Sequence, residues 1–422
     1  MKNLILAAVG LTLCANMQAQ TTKDELFANP QKMGGNQCVY QTDFKPQTPA
    51  PKGYTPFYIS HYGRHGSRYH YTGFDYALMH RTMGEADAAN ALTPLGKTLK
   101  ARIDSLYADG FLRAGDLTRT GFKQHQGIAK RMVTSFPEVF ADGAKIDVKS
   151  STSHRCIVSM DAFCQQLKAM RPSLDITTES SKRIMSYINF EEPDSVRVYL
   201  KADAWRKADS TLNSQCIHPE RLVASVFSDT AYVRKKVNGQ TFMRKLYDLH
   251  SNMQGIDDLK FDFSEFFTNE ELFGNWQCSN SYWYSHFGNC PYTKSRGAKY
   301  AKNLLTNILD EANKAIAGNG NSATLRFGHD TALLPLASLM QLEGCTASVT
   351  DLKDLYKEWC DFKIIPMAGN IQMIFYKSAK SDKILVKVML NENEVKLPIE
   401  SKTAPYYDWS DVESFYRKIV NN

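Results

Sequence analysis

In His61-Tyr62-Gly63-Arg64-His65-Gly66-Ser67-Arg68, two arginines flank one histidine and a glycine follows it directly. A guanidinium is a planar fork that donates two parallel charge-assisted hydrogen bonds, a match for two phosphate oxygens. Glycine at 66 has no Cβ, so an anion or the backbone can approach closely. A histidine between those arginines stands beside any anion they bind, and a neutral imidazole is a competent nucleophile toward phosphorus. Two other readings use the same residues. His61 and His65 have the four-residue spacing of a helical zinc pair, with His70 as a third ligand. Gly63 and Gly66 argue against a helix there, and no glutamate follows His61. A basic surface loop without chemistry is the other reading, and only partners elsewhere in the chain can displace it.

The motif resembles the hallmark of the histidine acid phosphatases of the histidine phosphatase superfamily, Arg-His-Gly-x-Arg, usually followed by x-Pro. Arg64-His65-Gly66-Ser67-Arg68 is complete, and His70 stands where the proline usually falls. The second hallmark of that family, a His-Asp dipeptide, is matched by His329-Asp330, where a strand from Ala323 runs into a helix. Between the two, a strand-like run from Lys145 ends in Ser153-His154-Arg155. An arginine at such a junction can point over a sheet edge, where helix N-terminal amides favour anions. The three matches fall in the order of the family, and the resemblance covers nearly the whole chain beyond the N-terminal segment.

The resemblance implies roles for these residues. His65 takes the phosphoryl group as phosphohistidine. Asp330 protonates the departing alcohol oxygen and then helps water attack. Arg64, Arg68, Arg155 and His329 bind the phosphate and stabilise its charge. The chemistry requires no metal and no cofactor. A neutral His65 and a protonated Asp330, with ordinary pKa values of about 6.5 and about 3.9, cannot coexist at one pH unless the site shifts them. The cations are expected to hold down the imidazolium form of His65, while burial and a dianionic substrate raise Asp330.

The elements that position these residues read as α/β. Pro56 to Ile59 is a short buried strand. Thr93-Pro94 starts a helix with Leu95, Leu99, Ile103 and Leu106 on one stripe. Leu117-Thr118-Arg119-Thr120-Gly121 matches a family segment and reads as a helix start rather than a chemical site. Strands follow at 145–151, 323–328, 370–376 and 384–390, with Asn391-Glu392-Asn393-Glu394 as a turn and a helix over 411–420. From 179 to 292 helical segments succeed one another without clear strands, including Ser195–Asp209, Pro219–Ser228 and Thr241–Asn252. Its aromatic clusters, Phe266-Phe267 and Tyr282-Trp283-Tyr284, read as core. A long helix from Thr293 to Ala317 leads back. The expected architecture is a central mixed sheet flanked by helices (20–178 and 293–422), with an inserted, mostly helical domain over 179–292.

Composition sets the outer bounds. The 422 residues are 43% hydrophobic and 23% charged, ordinary globular values. The net charge of +7 is spread along the chain, mildly favouring anionic substrates without pointing to nucleic acid. Residues 1–19 read as a secretory signal: Lys2, an apolar core from Leu4 to Leu13, and a small-residue site at Met17-Gln18-Ala19. A lipoprotein signal ending at Cys14 is disfavoured by the bulk of Leu13. No membrane span is expected, so the mature protein is periplasmic or secreted. Eight cysteines remain beyond the signal, an even number that permits disulfides in an oxidising compartment. Cys278 with Cys290, and Cys345 with Cys360, are sequence-near candidates, and Cys164 reads as a buried free thiol.

These readings converge on an exported phosphomonoesterase of the acid phosphatase and phytase type. Its expected partners are small phosphomonoesters: sugar phosphates, inositol phosphates and aryl phosphates. His-Asp resembles the bacterial phytase and glucose-phosphatase branch, whereas the multiple inositol-polyphosphate phosphatases commonly carry His-Ala-Glu. An inositol-polyphosphate-specific enzyme remains the near alternative. A non-catalytic phosphate-binding protein on the same scaffold is the alternative from another class. Tyr69, His70 and Tyr71 are expected in the pocket wall, with more wall residues from the helical insertion.

Overall fold

The computed structural model describes residues 21–189 and 203–421. The expected signal segment with Cys14, and the first part of the expected Ser195–Asp209 helix, lie outside the described residues.

Two strands with no polar periodicity form the middle of the sheet. β1 (Tyr54–Arg64) is buried over its last seven residues and β4 (Ala323–Gly328) over its whole length. Strands buried on both faces read as continuous apolar runs, and these two carry the site at their C-terminal ends. β1 and β4 are parallel, with Arg64 opposite Gly328. β2 (Lys145–Ser150) pairs parallel with β4, and β3 (Asp175–Glu179) pairs parallel with β2. On the other side of β1, β5 (Asn370–Ser378) and then β6 (Ser381–Leu390) run antiparallel. β7 (Asn393–Glu394) and β8 (Tyr406–Asp408) both pair with β6. The eight-stranded sheet, ordered β3-β2-β4-β1-β5-β6-β7 with β8 beside β6, is therefore mixed and flanked by helices, as expected.

Alternation along β1 divides the core. Tyr58 and Tyr62 face one apolar cluster, which continues into the helical layer. Ile59 faces the other, under helices Arg119–Ser135 and His154–Met170. The helical layer holds Glu220–Val226, Gly239–Met253 and Asn269–Phe287 from the stretch read as helical. Helices Gly73–Ala88 and Pro94–Gly110, which precede β2, pack in the same layer. Thr93 and Thr118 cap their helices by accepting from the Gly96 and Gly121 amides, at the positions read from sequence.

Two expectations are corrected. The helix expected from Thr293 begins at Lys302, because Lys294 and Ser295 are left-handed (φ 52° and 54°) and interrupt it. The eight cysteines are free thiols, so neither sequence-near pair is joined.

His61 and His125 are buried in the second cluster. His61 packs between Phe163 and Phe327 with ring centroids at 5.6 and 5.3 Å, and His125 packs on Phe327 at 5.5 Å. Burial pushes both imidazoles down to about 3. In the unfolded chain they titrate near about 6.5. Below that pH the unfolded chain takes up protons that the folded one refuses. Stability from these residues is thus fully present above about pH 6.5 and is lost as pH falls toward 3. The melting midpoint should fall steadily from pH 6.5 to 4, and less steeply in His61→Phe. A midpoint flat over that window would contradict this assignment.

Candidate active site

The end of β1 delivers the histidine. The Arg64 amide donates to the Gly369 carbonyl at 2.8 Å, and the His65 amide to the Gly328 carbonyl at 2.9 Å. The Ala368 amide donates to the His65 carbonyl at 2.9 Å, so His65 is pinned between β4 and the start of β5. Its Nδ1 lies 2.9 Å from the Gly66 carbonyl oxygen. A carbonyl can only accept, so Nδ1 carries the hydrogen and Nε2 keeps its lone pair. At the end of β4, His329 stands at the N-cap position of helix Asp330–Leu339 without a side-chain capping bond, and its ring centroid is 5.6 Å from that of His65. The His329 amide donates to the Tyr62 hydroxyl at 3.2 Å. Arg155 comes from the first turn of helix His154–Met170.

His65, Arg68, Arg155, His329 and Asp330 line one cleft of about 630 Å³. The Nε atoms of Arg68 and Arg155 are buried without a hydrogen-bond partner among the described residues. A buried guanidinium donor left open costs free energy, and an anion beside His65 would satisfy it. Arg64 also has a buried Nε without a hydrogen-bond partner among the described residues, but it lies deeper. It is fully buried beneath the cleft, with Nη1 donating to the Asn36 and Ile365 carbonyls and Nη2 at 2.7 Å from Asp330 Oδ2. Arg64 is thus the counter-ion of Asp330.

The charges shape the titration of the site. Burial, then the cations of Arg64, Arg68 and Arg155, hold the His65 imidazole well below its usual range. Burial and Arg155 push His329 down to about 4. Burial and Arg64 lower Arg68 to about 9. Burial opposes ionisation of Asp330, but Arg64, His329 and Arg68 outweigh it, so its carboxyl sits below the usual range. Burial raises Asp330, as expected, but in the ligand-free site the Arg64 pairing, which the sequence expectation left out, more than offsets it; that expectation concerned the site holding its dianionic substrate.

The three histidines weighed as zinc ligands do not converge among the described residues. The residues whose ligand atoms do come within 4.8 Å of one another are His70, Asp75 and Asp248. There the Lys245 ammonium, 3.0 Å from Asp75 and 3.6 Å from Asp248, supplies the positive charge.

Residues 63–391 match the family model of the histidine phosphatase superfamily, branch 2. The chain belongs to that branch. As a member it is a phosphomonoesterase. Among curated proteins it resembles multiple inositol polyphosphate phosphatase 1 of Gallus gallus, 20% identical over an alignment of 333 residues that covers 72% of this chain and 70% of that one. The Homo sapiens protein of the same name is 22% identical, over 73% of this chain and 67% of the other. Among solved structures, the Bifidobacterium longum multiple inositol polyphosphate phosphatase in complex with inositol hexasulfate aligns with a TM-score of 0.75. It is 18% identical, with 91% of this chain and 97% of that one covered. The phytase from D. castellii aligns at 0.70 and 15% identity, over 99% and 90% of the two chains. At these identities the likeness establishes the fold.

Some wall residues of this branch 2 phosphatase were legible from sequence and others were not. His70 replaces the usual proline, and its amide donates to the Tyr76 hydroxyl at 2.8 Å, a bond proline could not make. His70 and Tyr71 line the cleft as expected, but Tyr69 turns into the core, its hydroxyl donating to Asp109 at 2.7 Å. Tyr282 and Trp283, read as core, reach the cleft, while Tyr284 on the opposite face of the helix is buried. Asn36 and Arg244 join the wall from distant parts of the chain.

The Thr118–Gly121 helix start does more than begin a helix. Ser67 accepts at its carbonyl from the Thr118 amide and hydroxyl, and its own amide donates to Gln124 Oε1 at 2.8 Å. A Cβ on Gly66 would overlap the Gly121 carbonyl, and one on Gly121 would overlap the Ser67 carbonyl oxygen and crowd its nitrogen. Loop and helix touch backbone to backbone, so neither can yield cheaply. Gly121→Ala should therefore displace the His65 loop, and a misplacement of about 1 Å typically costs about 100-fold in rate. A kcat/KM within a few-fold of wild type in a folded Gly121→Ala protein would refute this buttress.

Proposed function

We propose that this phosphatase cleaves phosphomonoesters through a phosphohistidine on His65, with Asp330 as proton donor. The observation that carries the reading is the His65 ring itself. Its Nδ1 hydrogen is committed to Gly66, leaving Nε2 as an unprotonated nucleophile in a cleft with two open guanidinium donors. Arg68 and Arg155 hold the phosphate oxygens, and His329 adds a third polar contact as charge spreads over them. Attack by Nε2 forms the N–P bond as the ester P–O bond breaks, and Asp330 protonates the departing oxygen. In the second step Asp330 takes a proton from water, which attacks phosphorus and frees His65.

Two features support a substrate with a ring-sized leaving group. The cleft is larger than a phosphate needs, and polar wall residues such as Asn275, Ser279 and Asp248 can meet hydroxyl groups. The named relatives favour inositol phosphates as one such class, whereas the His329-Asp330 dipeptide resembles the phytase and glucose-phosphatase branch. Export is part of the proposal. It rests on the pattern of residues 1–19, and no described helix is long and apolar enough to cross a membrane.

A panel of p-nitrophenyl phosphate, glucose 1-phosphate and phytate, assayed from pH 4 to 8, tests the reading. His65 is neutral well below pH 6.5. The resting Asp330 is ionised, so the dianionic substrate must raise its pKa before it can donate. Activity should hold on the acid side and decline toward alkaline pH as the bound-state Asp330 loses its proton. Tight phosphate binding without turnover of any substrate would favour the non-catalytic alternative. An alkaline optimum at saturating substrate would overturn the acid–base pairing.

A further inference from the structure

Asn36 lies in the short helical segment Pro30–Gln37, far from every motif, yet it meets the centre of the site. Its Nδ2 donates to Asp330 Oδ2 at 3.1 Å, the oxygen that also faces Arg64 Nη2 at 2.7 Å. Its carbonyl accepts from Arg64 Nη1. Asp330 Oδ1 accepts instead from the Thr331 amide at 2.9 Å, its one hydrogen bond among the described residues. The carboxylate is thus asymmetric: Oδ2 is occupied by a cation and an amide, and Oδ1 has spare acceptor capacity.

A second buried carboxylate fixes Asn36. Asp361 Oδ2 accepts from the Asn36 amide at 3.0 Å. Its Oδ1 accepts from Trp276 Nε1 at 3.0 Å and from the Phe362 amide at 2.8 Å. The Asp361 amide donates in turn to Asn280 Oδ1 at 2.8 Å. Gly35 allows this approach: φ is +57°, and a Cβ there would lie 2.6 Å from Asp361 Oδ2 and 3.2 Å from Trp276. A fully buried carboxylate with this many donors is a rigid anchor.

We infer that Asn36 is a positioning residue for Asp330: with Arg64 it holds Oδ2, so the transferable proton resides on Oδ1 and faces the leaving oxygen. Asp361 acts one step further back, through the Asn36 backbone. The inference rests on the reading of Asp330 as proton donor. A proton on Oδ2 would have to displace the Asn36 amide or point at a guanidinium, and Oδ1 requires neither. The amide of Asn36 cannot replace Asp330 as an acid, so its effect is felt only through that carboxyl.

Asn36→Ala removes the side-chain amide and leaves the backbone contacts to Arg64 and Asp361 possible. Asn36→Leu, close to the same shape but without a donor, guards against a folding artefact. Rapid-quench phosphorylation with an alkyl phosphate and with p-nitrophenyl phosphate reads the role. A hydrogen bond to a charged group is typically worth roughly tenfold or more in an equilibrium. Both variants should lose about tenfold more rate with the alkyl substrate than with the aryl one. Loss of a donor that favours the ionised carboxyl should also move the alkaline limb of kcat to higher pH. Asp330→Asn, run beside them, separates the two levels. If it shows the alkyl-selective loss and the Asn36 variants show equal losses, or an unmoved limb, the positioning role is wrong. If Asp330→Asn itself shows equal losses, the proton-donor reading fails and the inference falls with it.

Discussion

His65→Ala should lose phosphomonoesterase turnover by about 10,000-fold or more while the protein keeps its fold. Among the described residues two other imidazoles line the cleft, and His70 is engaged by Asp75, with Nε2 at 3.5 Å, and by the Thr72 carbonyl, with Nδ1 at 3.3 Å. His329 is the neighbouring imidazole, but its ring touches the Cys156 thiol, with Nε2 at 3.7 Å, and its amide is tied to Tyr62. The ring of His65 is held by one hydrogen bond to its own neighbour, so truncation leaves the strand pairing intact. Melting temperature and kcat/KM measured on the same preparation give the answer. Residual turnover at a tenth of wild type, in protein free of contaminating phosphatase, would remove His65 from the role of nucleophile.

The second large effect isolates Asp330. An alkoxide from a sugar or an inositol is a poor leaving group and needs a proton, whereas p-nitrophenolate departs readily without one. General acid catalysis contributes roughly 100- to 10,000-fold. Asp330→Asn keeps the shape and can still face Arg64 and Asn36, but it has no proton to give. Phosphoenzyme formation from an alkyl phosphate should fall by about that factor, and formation from p-nitrophenyl phosphate far less. The burst must be compared rather than the steady state, because an Asp330 that also activates water would slow the second step in the same variant. Equal losses for both substrates would mean that Asp330 orients the phosphate and does not donate.

The placement of the candidate residues was legible in the sequence because they sit at the ends of strong strands. Arg64-His65 follows the buried run of β1, and His329-Asp330 follows β4, so neighbouring parallel strands had to bring them together. Thr93 and Thr118 announced their helices by ordinary capping chemistry. What escaped depends on tertiary contact. The Asn36–Asp330 bond spans 294 residues, and no period or motif marks it. Arg64 and Arg68 are the same residue type in one motif, yet Arg68 lines the cleft while Arg64 is fully buried, with Nη1 on the Asn36 and Ile365 carbonyls. The sign of the Asp330 shift followed from that pairing. The Lys294-Ser295 break has no glycine or proline at the left-handed positions, so nothing in its composition signals it.

The covalent intermediate is the central claim, and trapping it is the most direct measurement. Wild-type protein mixed with radiolabelled p-nitrophenyl phosphate and quenched in alkali within milliseconds should carry label, because a phosphoramidate on imidazole survives alkali and is lost in acid. Digestion should place the label on the peptide containing His65, and His65→Ala should carry none. Label on another residue, or a full burst of p-nitrophenol from protein that never carries label, would contradict the phosphohistidine mechanism.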